Sequence, residues 1–131
     1  GNYCLFVKKC QNITAVFSEI GTYGKSRKAV ANSVAQQAKA YLRASFVADT
    51  HLSDQLLLPI VLAADRVPAE SLYWGKFSMP RKHSQHFDTN WDILKLFRED
   101  CAMVEVPSKR CKYTTKVYIG KKGFENEVAE D

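Results

Sequence analysis

The chain has 131 residues, of which 46% are apolar and 25% charged, so it can bury one modest core and has the composition of a globular protein. No apolar run is long enough to span a bilayer and none has the form of a secretory signal, which predicts a soluble intracellular protein without a membrane partner. Its four cysteines lack C-x-x-C pairing and histidines at ligand spacing. This argues against a zinc site and favours reduced, buried thiols.

The net charge of +5 is unevenly distributed. The tail after Gly123 contains four acids and no base, and we predict that residues 122–131 are disordered. Basic residues recur in clusters at Lys8-Lys9, Lys25 to Lys28, Arg81-Lys82, Lys109 to Lys112 and Lys121-Lys122. One such pair is usually a solvated turn, but their recurrence suits a polyanionic partner and indicates nucleic acid.

The first third of the chain predicts two strands and a helix. Tyr3 to Val7 and Ile13 to Ile20 are rich in β-branched and aromatic residues and are separated by a turn at Gln11-Asn12. A helix is predicted from about Arg27 to Ala44. Its apolar face would contain Val30, Val34, Ala38, Tyr41 and Leu42.

The order predicted for the rest is helix, strand, helix, strand, strand. Thr50 is expected to cap a helix that runs to about Ala64, is apolar nearly all round and is therefore buried. A strand at Leu72 to Phe77 comes next, and then a helix that Thr89 caps and that ends near Glu99. The two last strands, Cys101 to Val106 and Lys112 to Ile119, form a hairpin that turns at Pro107 to Arg110.

His86 would then lie just ahead of a helix start. Unpaired N–H groups and the positive end of the helix dipole attract phosphate there and disfavour an imidazolium. A neutral imidazole next to a phosphate is a possible nucleophile, although a histidine in this place is more often a turn or capping residue.

Two motifs give this histidine a context. The run His51-Leu-Ser-Asp-Gln-Leu-Leu-Leu-Pro59 and the run His86-x-x-Thr-Asn90, with the apolar segment between them, resemble the C-terminal part of the RNA 3′-terminal phosphate cyclase family. Gly1-Asn2, Asn12-Ile13-Thr14 and Gly21-x-x-Gly24 fall in the family's order, so the resemblance covers most of residues 1–120.

The resemblance implies an α+β fold in three parts. Residues 1–47 would be the last part of a small inserted strand-strand-helix domain, and residues 48–121 one helix/sheet repeat of the cyclase / enolpyruvyl-transferase-like main domain. The acidic tail, 122–131, falls outside it. Family members are considerably longer and this chain begins at Gly1. We therefore expect a fragment, one chain of a split protein or a partial chain, with the missing N-terminal half or a companion chain as its partner.

The resemblance also implies a chemistry. His86 would attack the α-phosphorus of ATP, giving a covalent histidine–AMP intermediate. AMP would pass to an RNA 3′-phosphate, and the neighbouring 2′-hydroxyl would displace it and leave a 2′,3′-cyclic phosphate. Asp54 and Gln55 match the family's ATP-contacting pair, and Asp54 would also hold a divalent cation, Mg or Mn. His51 takes a place where some members have an aromatic residue that stacks on adenine.

Basic residues near these motifs would contact RNA phosphate, namely Arg81, Lys82, His83, Lys109, Arg110 and Lys112. His83 is expected to be a surface residue because its distance from Thr89-Asn90 does not fit the motif. Two departures count against catalysis by this chain alone. Lys28 stands where the family usually has a glutamate, and the family's other ATP-binding and phosphate-binding residues belong to the portion before Gly1.

A second function therefore stays open. The chain would be a non-catalytic RNA-binding subunit of a ribonucleoprotein, such as a mitochondrial ribosome or a ribosome-assembly particle. His86 distinguishes the cyclase from this second function, because the non-catalytic branch of the superfamily lacks that histidine. We expect a nuclear or cytoplasmic location for a cyclase and a mitochondrial one for a ribosomal subunit. A small-molecule transferase would rest only on architecture shared with enolpyruvyl transferases.

Overall fold

The computed structural model describes Asn2–Val128, and these residues form two compact units that divide between Arg43 and Ala44. The division comes four residues before the predicted boundary. No helix among the described residues is long and apolar enough to cross a membrane. Assignment of the units to an inserted domain and a main-domain repeat stays a prediction.

The first unit is a strand pair covered by one helix, as predicted. Strands β1 (Tyr3–Lys9) and β2 (Thr14–Ile20) are antiparallel, with Phe6 opposite Phe17, and helix α1 spans Arg27–Arg43. The small core contains Phe17, Val34 and Ala38, with Cys4, Ala15 and Tyr41 packed against it. Leu42 was wrongly placed on the buried face and is exposed, because it lies about 120° around the helix from Val30.

The second unit has the predicted element order. Helix α2 (Thr50–Leu62) comes first, then strand β3 (Gly75–Pro80) and helix α3 (Gln85–Phe97). Strands β4 (Cys101–Pro107) and β5 (Thr114–Lys121) form the predicted hairpin, and the antiparallel sheet has the order β3-β5-β4. The chain is therefore a mixed α and β protein, compatible with the predicted α+β class.

Both helices of this unit cover one face of the sheet. The core between them contains residues from α2, α3 and all three strands, namely Leu57, Val61, Met79, Phe87, Trp91, Leu94, Cys101, Val117 and Ile119. The prediction that α2 is buried all round is wrong, because Leu58 is 51% and Leu62 69% exposed. Only the side of α2 that faces the sheet and α3 is covered, so its high apolar content does not indicate a fully buried helix.

Contacts at the two ends of each helix fix its direction. The N–H groups of Val47 and Ala48, just before α2, donate to the Ser78 carbonyl at 3.2 and 3.0 Å, whereas Ile60, near the end of α2, packs against Gly75 at the start of β3. Helix α3 begins after β3 ends, and Arg98, at its far end, lies over the Trp74 ring just before β3. The two helices therefore run in the same direction. Both begin at the same edge of the sheet, by which we mean the end where β3 finishes and β5 starts.

The residues after β5 fold back onto the other face of the sheet. A 3-10 turn at Phe124–Asn126 buries Phe124 against Ala102 and Tyr118. Residues 122–131 are predicted to be disordered, but Phe124 within this segment has a buried side chain. Ala129, Glu130 and Asp131, like Gly1, lie outside the described residues.

Candidate active site

Helix α3 begins earlier than the sequence predicts. The Ser84 hydroxyl oxygen accepts a hydrogen bond from the Phe87 N–H at 3.1 Å and caps the helix. The predicted cap at Thr89 is wrong, and His86 lies within the first turn instead of ahead of it. Phe87 is fully buried in the core. A helix that begins before Phe87 places this side chain in the core and also gives its N–H a capping acceptor.

His86 is the second residue of α3, and its side chain is exposed. Its ring makes no hydrogen bond or ion pair with any residue in Asn2–Val128. Its ring is therefore accessible to an incoming electrophile. The first turn also directs N–H groups and the positive end of the dipole toward this position, which favours an anion such as phosphate beside the ring.

Helix α2 also has a different cap from the predicted one. Asp49, not Thr50, caps it, and its Oδ1 accepts hydrogen bonds from the N–H groups of His51 at 3.0 Å and Leu52 at 2.7 Å. His51 is thus the second residue of α2, just as His86 is of α3. Asp49 has a carboxylate in the capping geometry, which explains why it takes the role from the neighbouring threonine.

Three predicted nucleotide-binding residues lie in the N-terminal half of α2. His51 and Gln55 are exposed and Asp54 is half-buried. Within the described chain the Asp54 carboxylate has no ion pair, and no group of three or more metal-ligating side chains occurs there. One carboxylate fits a cation that arrives with a nucleotide, because Mg²⁺ is commonly held by one or two carboxylates together with substrate phosphates.

The two helices repeat one surface pattern. Each has a stripe of exposed residues at spacing i, i+4, i+7, i+11, polar in its first half and apolar in its second. The stripes are His51, Gln55, Leu58, Leu62 on α2 and His86, Asn90, Ile93, Phe97 on α3. Because α2 and α3 begin at the same edge, the structure brings the candidate residues of both motifs to one end of the helix layer.

The same edge is basic. The Arg81 N–H donates to the Tyr113 carbonyl at 2.9 Å, which joins the β3–α3 connection to the β4–β5 turn. Five exposed cations lie on these two segments, and we call them the basic rim: Arg81, Lys82, Lys109, Arg110 and Lys112. Residues that are about thirty positions apart in sequence thus meet close to the start of α3.

His83 is in a different environment from the one expected. It is half-buried, with Nδ1 3.0 Å from Asp88 Oδ1 and Nε2 2.7 Å from Glu105 Oε2. Burial acts to lower the pKa of His83, but the hydrogen bonds to the two carboxylates outweigh it and raise that pKa. An RNA contact by His83 stays a prediction. No spacing pattern in the sequence indicates this three-residue cluster, because Glu105 lies on a distant strand.

The thiols differ from one another in burial. No disulfide joins any of the four cysteines, all of which lie in the described part of the chain. Cys101 is buried in the core and Cys10 is exposed, while Cys4 and Cys111 are intermediate. The expectation of buried thiols is therefore correct for Cys101 and wrong for Cys10, which sits at the turn between the first two strands.

Taken together, these features define a mixed α and β protein with an accessible helix-start histidine at a basic edge. Curated proteins named RNA 3′-terminal phosphate cyclase match 97 residues, 74% of this chain and 26% of each relative. They include those of Salmonella enteritidis at 35% identity, Pseudomonas aeruginosa at 37% and Salmonella typhimurium at 34%. No protein-family model matches the sequence.

This chain is a homologue of the RNA 3′-terminal phosphate cyclases, and the resemblance drawn from its motifs is confirmed. It spans about a quarter of the length of the curated relatives that it matches, which is consistent with a C-terminal portion.

Proposed function

We propose that this chain is the C-terminal part of an ATP-dependent RNA 3′-terminal phosphate cyclase-like protein and carries its nucleophile, His86. The observation that carries the proposal is the accessible, unbonded imidazole in the first turn of α3, within the run His86-x-x-Thr-Asn90 that resembles a cyclase motif. Because the match covers only 26% of each relative, the complete reaction would need the portion that this chain does not match.

In the first step a lone pair on the neutral His86 ring attacks the α-phosphorus of ATP. The new P–N bond forms as the P–O bond to pyrophosphate breaks, and pyrophosphate leaves. The positive end of α3 stabilises negative charge at this place. Dividing one difficult displacement into activated steps is what a covalent intermediate achieves.

In the second step an oxygen of the RNA 3′-phosphate attacks the same phosphorus, the P–N bond breaks, and the ring of His86 is released. The RNA end now carries AMP as a leaving group. The adjacent 2′-hydroxyl then attacks the RNA phosphate and AMP departs, which closes the 2′,3′-cyclic phosphate. A proton leaves the hydroxyl in this step and passes to a base.

Nucleotide contacts are proposed for α2. Asp54 and Gln55 lie on the helix that begins beside α3, where Gln55 can hydrogen-bond the nucleotide and the exposed ring of His51 can stack on its base. A divalent cation held by Asp54 would neutralise the triphosphate charge. The basic rim would hold the RNA backbone, since phosphate contacts from exposed cations need no base sequence.

Labelling with ATP tests the proposal. The chain is combined with a polypeptide corresponding to the rest of a relative's length, then incubated with α-labelled ATP and Mg²⁺ or Mn²⁺. We expect an acid-labile label on the wild-type chain and on Gln85→Ala, a matched change in the same turn, and none on His86→Asn. Equal labelling of His86→Asn, with unchanged thermal unfolding, would rule out His86 as the nucleophile.

The basic rim by itself favours the second candidate, a non-catalytic RNA-binding subunit of a ribonucleoprotein. Five clustered cations can bind structural RNA without any reaction at His86. Salt-sensitive RNA binding that is equal in wild type and His86→Asn, with no label on either chain, would support this candidate over the cyclase.

A further inference from the structure

His83 immediately precedes the cap of α3 and contacts three residues of the second unit, two on α3 and one on β4. Its side chain is 21% exposed, and its ring lies 5.0 Å from the ring of Phe87 at an interplanar angle of 57°. Phe87 itself is fully buried. The histidine ring is thus held against the core at the point where the chain enters α3.

Both ring nitrogens of His83 face carboxylate oxygens, Asp88 Oδ1 at 3.0 Å and Glu105 Oε2 at 2.7 Å. A neutral imidazole has only one N–H, so its other nitrogen would direct a lone pair at a carboxylate oxygen. A doubly protonated ring donates to both. The geometry therefore selects the imidazolium, and the two ion pairs compensate its partial burial.

The bridge encloses the first turn of α3. His83 lies one residue before the cap and Asp88 is the fourth residue of the helix, the two positions that a hydrophobic staple joins in other helices. Glu105 lies on β4, so the same ring also ties this turn to the sheet. His86 lies inside the bridged turn.

We propose that His83 is a positioning residue, whose imidazolium joins Asp88 to Glu105 and so fixes the first turn of α3, and with it His86, on the sheet. The consequence for catalysis rests on the proposed function, because it takes His86 as the nucleophile. Asp88 on α3 and Glu105 on β4 are the charged groups that act on the ring among the described residues.

The two histidines then need opposite protonation states. His86 must be neutral to attack phosphorus, whereas His83 must be charged to hold the turn. Adenylylation should therefore fall as the pH rises far enough for His83 to lose its proton. The alkaline limb of the pH profile for labelling is then set by His83.

Glu105→Gln tests this assignment, because it keeps a hydrogen-bonding side chain and removes the charge. Glu99→Gln, an exposed acid just after α3, is the matched control. The full chain is used, and NMR follows the His83 ring and the amide exchange of residues 85–88 against pH. Label transfer from α-labelled ATP is measured over the same pH range with the rest of the cyclase present.

In wild type and Glu99→Gln we expect His83 to be doubly protonated at neutral pH. Amide exchange in the first turn should rise on the order of threefold to tenfold as the ring deprotonates, because the partly exposed ion pairs are then lost. In Glu105→Gln the ring should titrate at lower pH and the alkaline limb of labelling should move with it. Labelling at pH values below that limb should be unchanged, a result that a general loss of structure would not produce.

Two outcomes would overturn the proposal: a ring that titrates identically in Glu105→Gln and wild type, or first-turn exchange that does not follow the ring. If wild type acquires no label at any pH while ring and exchange behave as expected, the positioning role in the helix is supported. The assignment of His86 as nucleophile is then what fails.

Discussion

The Arg81 N–H donates to the Tyr113 carbonyl oxygen at 2.9 Å, one step beyond the last register pair of β3 and β5, Pro80 and Thr114. This hydrogen bond extends the ladder into two loops and holds them side by side. The basic residues of both loops therefore share one edge with the start of α3. Neither loop alone has enough charge to indicate more than a solvated turn.

The first prediction concerns the salt dependence of RNA binding. Arg81→Ala, Lys82→Ala and Lys112→Ala should each reduce the slope of log affinity against log salt by about one, because each removes one phosphate contact. Lys39→Ala, an exposed lysine on α1, is the control and should leave the slope unchanged. Fluorescence anisotropy with a short single-stranded RNA at several salt concentrations measures this slope. Equal slopes in all variants would show that the basic rim does not contact RNA phosphate.

The second prediction compares two caps. Ser84→Ala should lower the free energy of unfolding by about 1 kcal/mol, since it leaves the Phe87 N–H without its acceptor. Thr89→Ala should change it by less than about 0.5 kcal/mol, since Thr89 is an exposed residue inside the helix. Urea unfolding gives both values. The reverse order would mean that α3 begins at Thr89.

The difference between these two residues shows where sequence analysis stops. The hairpins and the order of elements follow from period-two alternation and turn residues, which are local signals, and the structure confirms them. Ser84 and Thr89 are both good cap residues with an amphipathic segment after them. What decides between them is the burial of Phe87 against α2 and the sheet, a tertiary contact that no local pattern contains.

The candidate site divides in the same way. His86 and the Asp54-Gln55 pair could be predicted because they occur in motifs with fixed spacing. The basic clusters could be predicted because they are contiguous in the sequence. The cluster around His83 could not, because Glu105 is 22 residues away and its nearness depends on the place of β4 in the sheet. Proximity created by strand pairing leaves no spacing signal in the chain.

The third prediction separates core from surface on a single helix. Phe87→Ala should destabilise the protein by about 3 to 5 kcal/mol, because it removes a fully buried ring and leaves a cavity. Phe97→Ala on the same helix is the control, with a side chain 84% exposed, and should cost less than about 0.5 kcal/mol. Thermal and urea unfolding of both variants check the difference, and similar losses would contradict the assigned faces of α3.

The fourth prediction concerns thiol chemistry. Cys10 is exposed and should react with iodoacetamide in the native protein, whereas Cys101 should react only after unfolding. Burial is the main reason that the pKa of Cys101 is raised, so its thiolate is scarce as well as inaccessible. Mass spectrometry of timed samples, with and without urea, identifies the modified residue. Fast native modification of Cys101 would mean that the core around β4 opens readily.

The last prediction is that the second unit loses stability as pH rises above neutrality. The folded pKa of His83 is raised above its unfolded value of about 6.5, so the folded state binds more protons in this range. The stabilisation is fully present below about pH 6.5 and is lost as pH rises through the folded pKa. Because the carboxylates are partly exposed, the loss should be about 1 kcal/mol or less.

His83→Gln is the comparison for this prediction, because a glutamine does not titrate. Urea midpoints of the full chain at several pH values from 6 to 8 should fall for wild type relative to His83→Gln. The pKa of Glu19 is lowered by the Ser33 hydroxyl and by Lys25, and that of Asp100 by Arg98. Both carboxylates change the stability only at acidic pH and do not contribute between pH 6 and 8. Parallel midpoints for the two proteins would show that folding does not raise the pKa of His83, and the bridge across the start of α3 would then gain no stability from the charge on the ring.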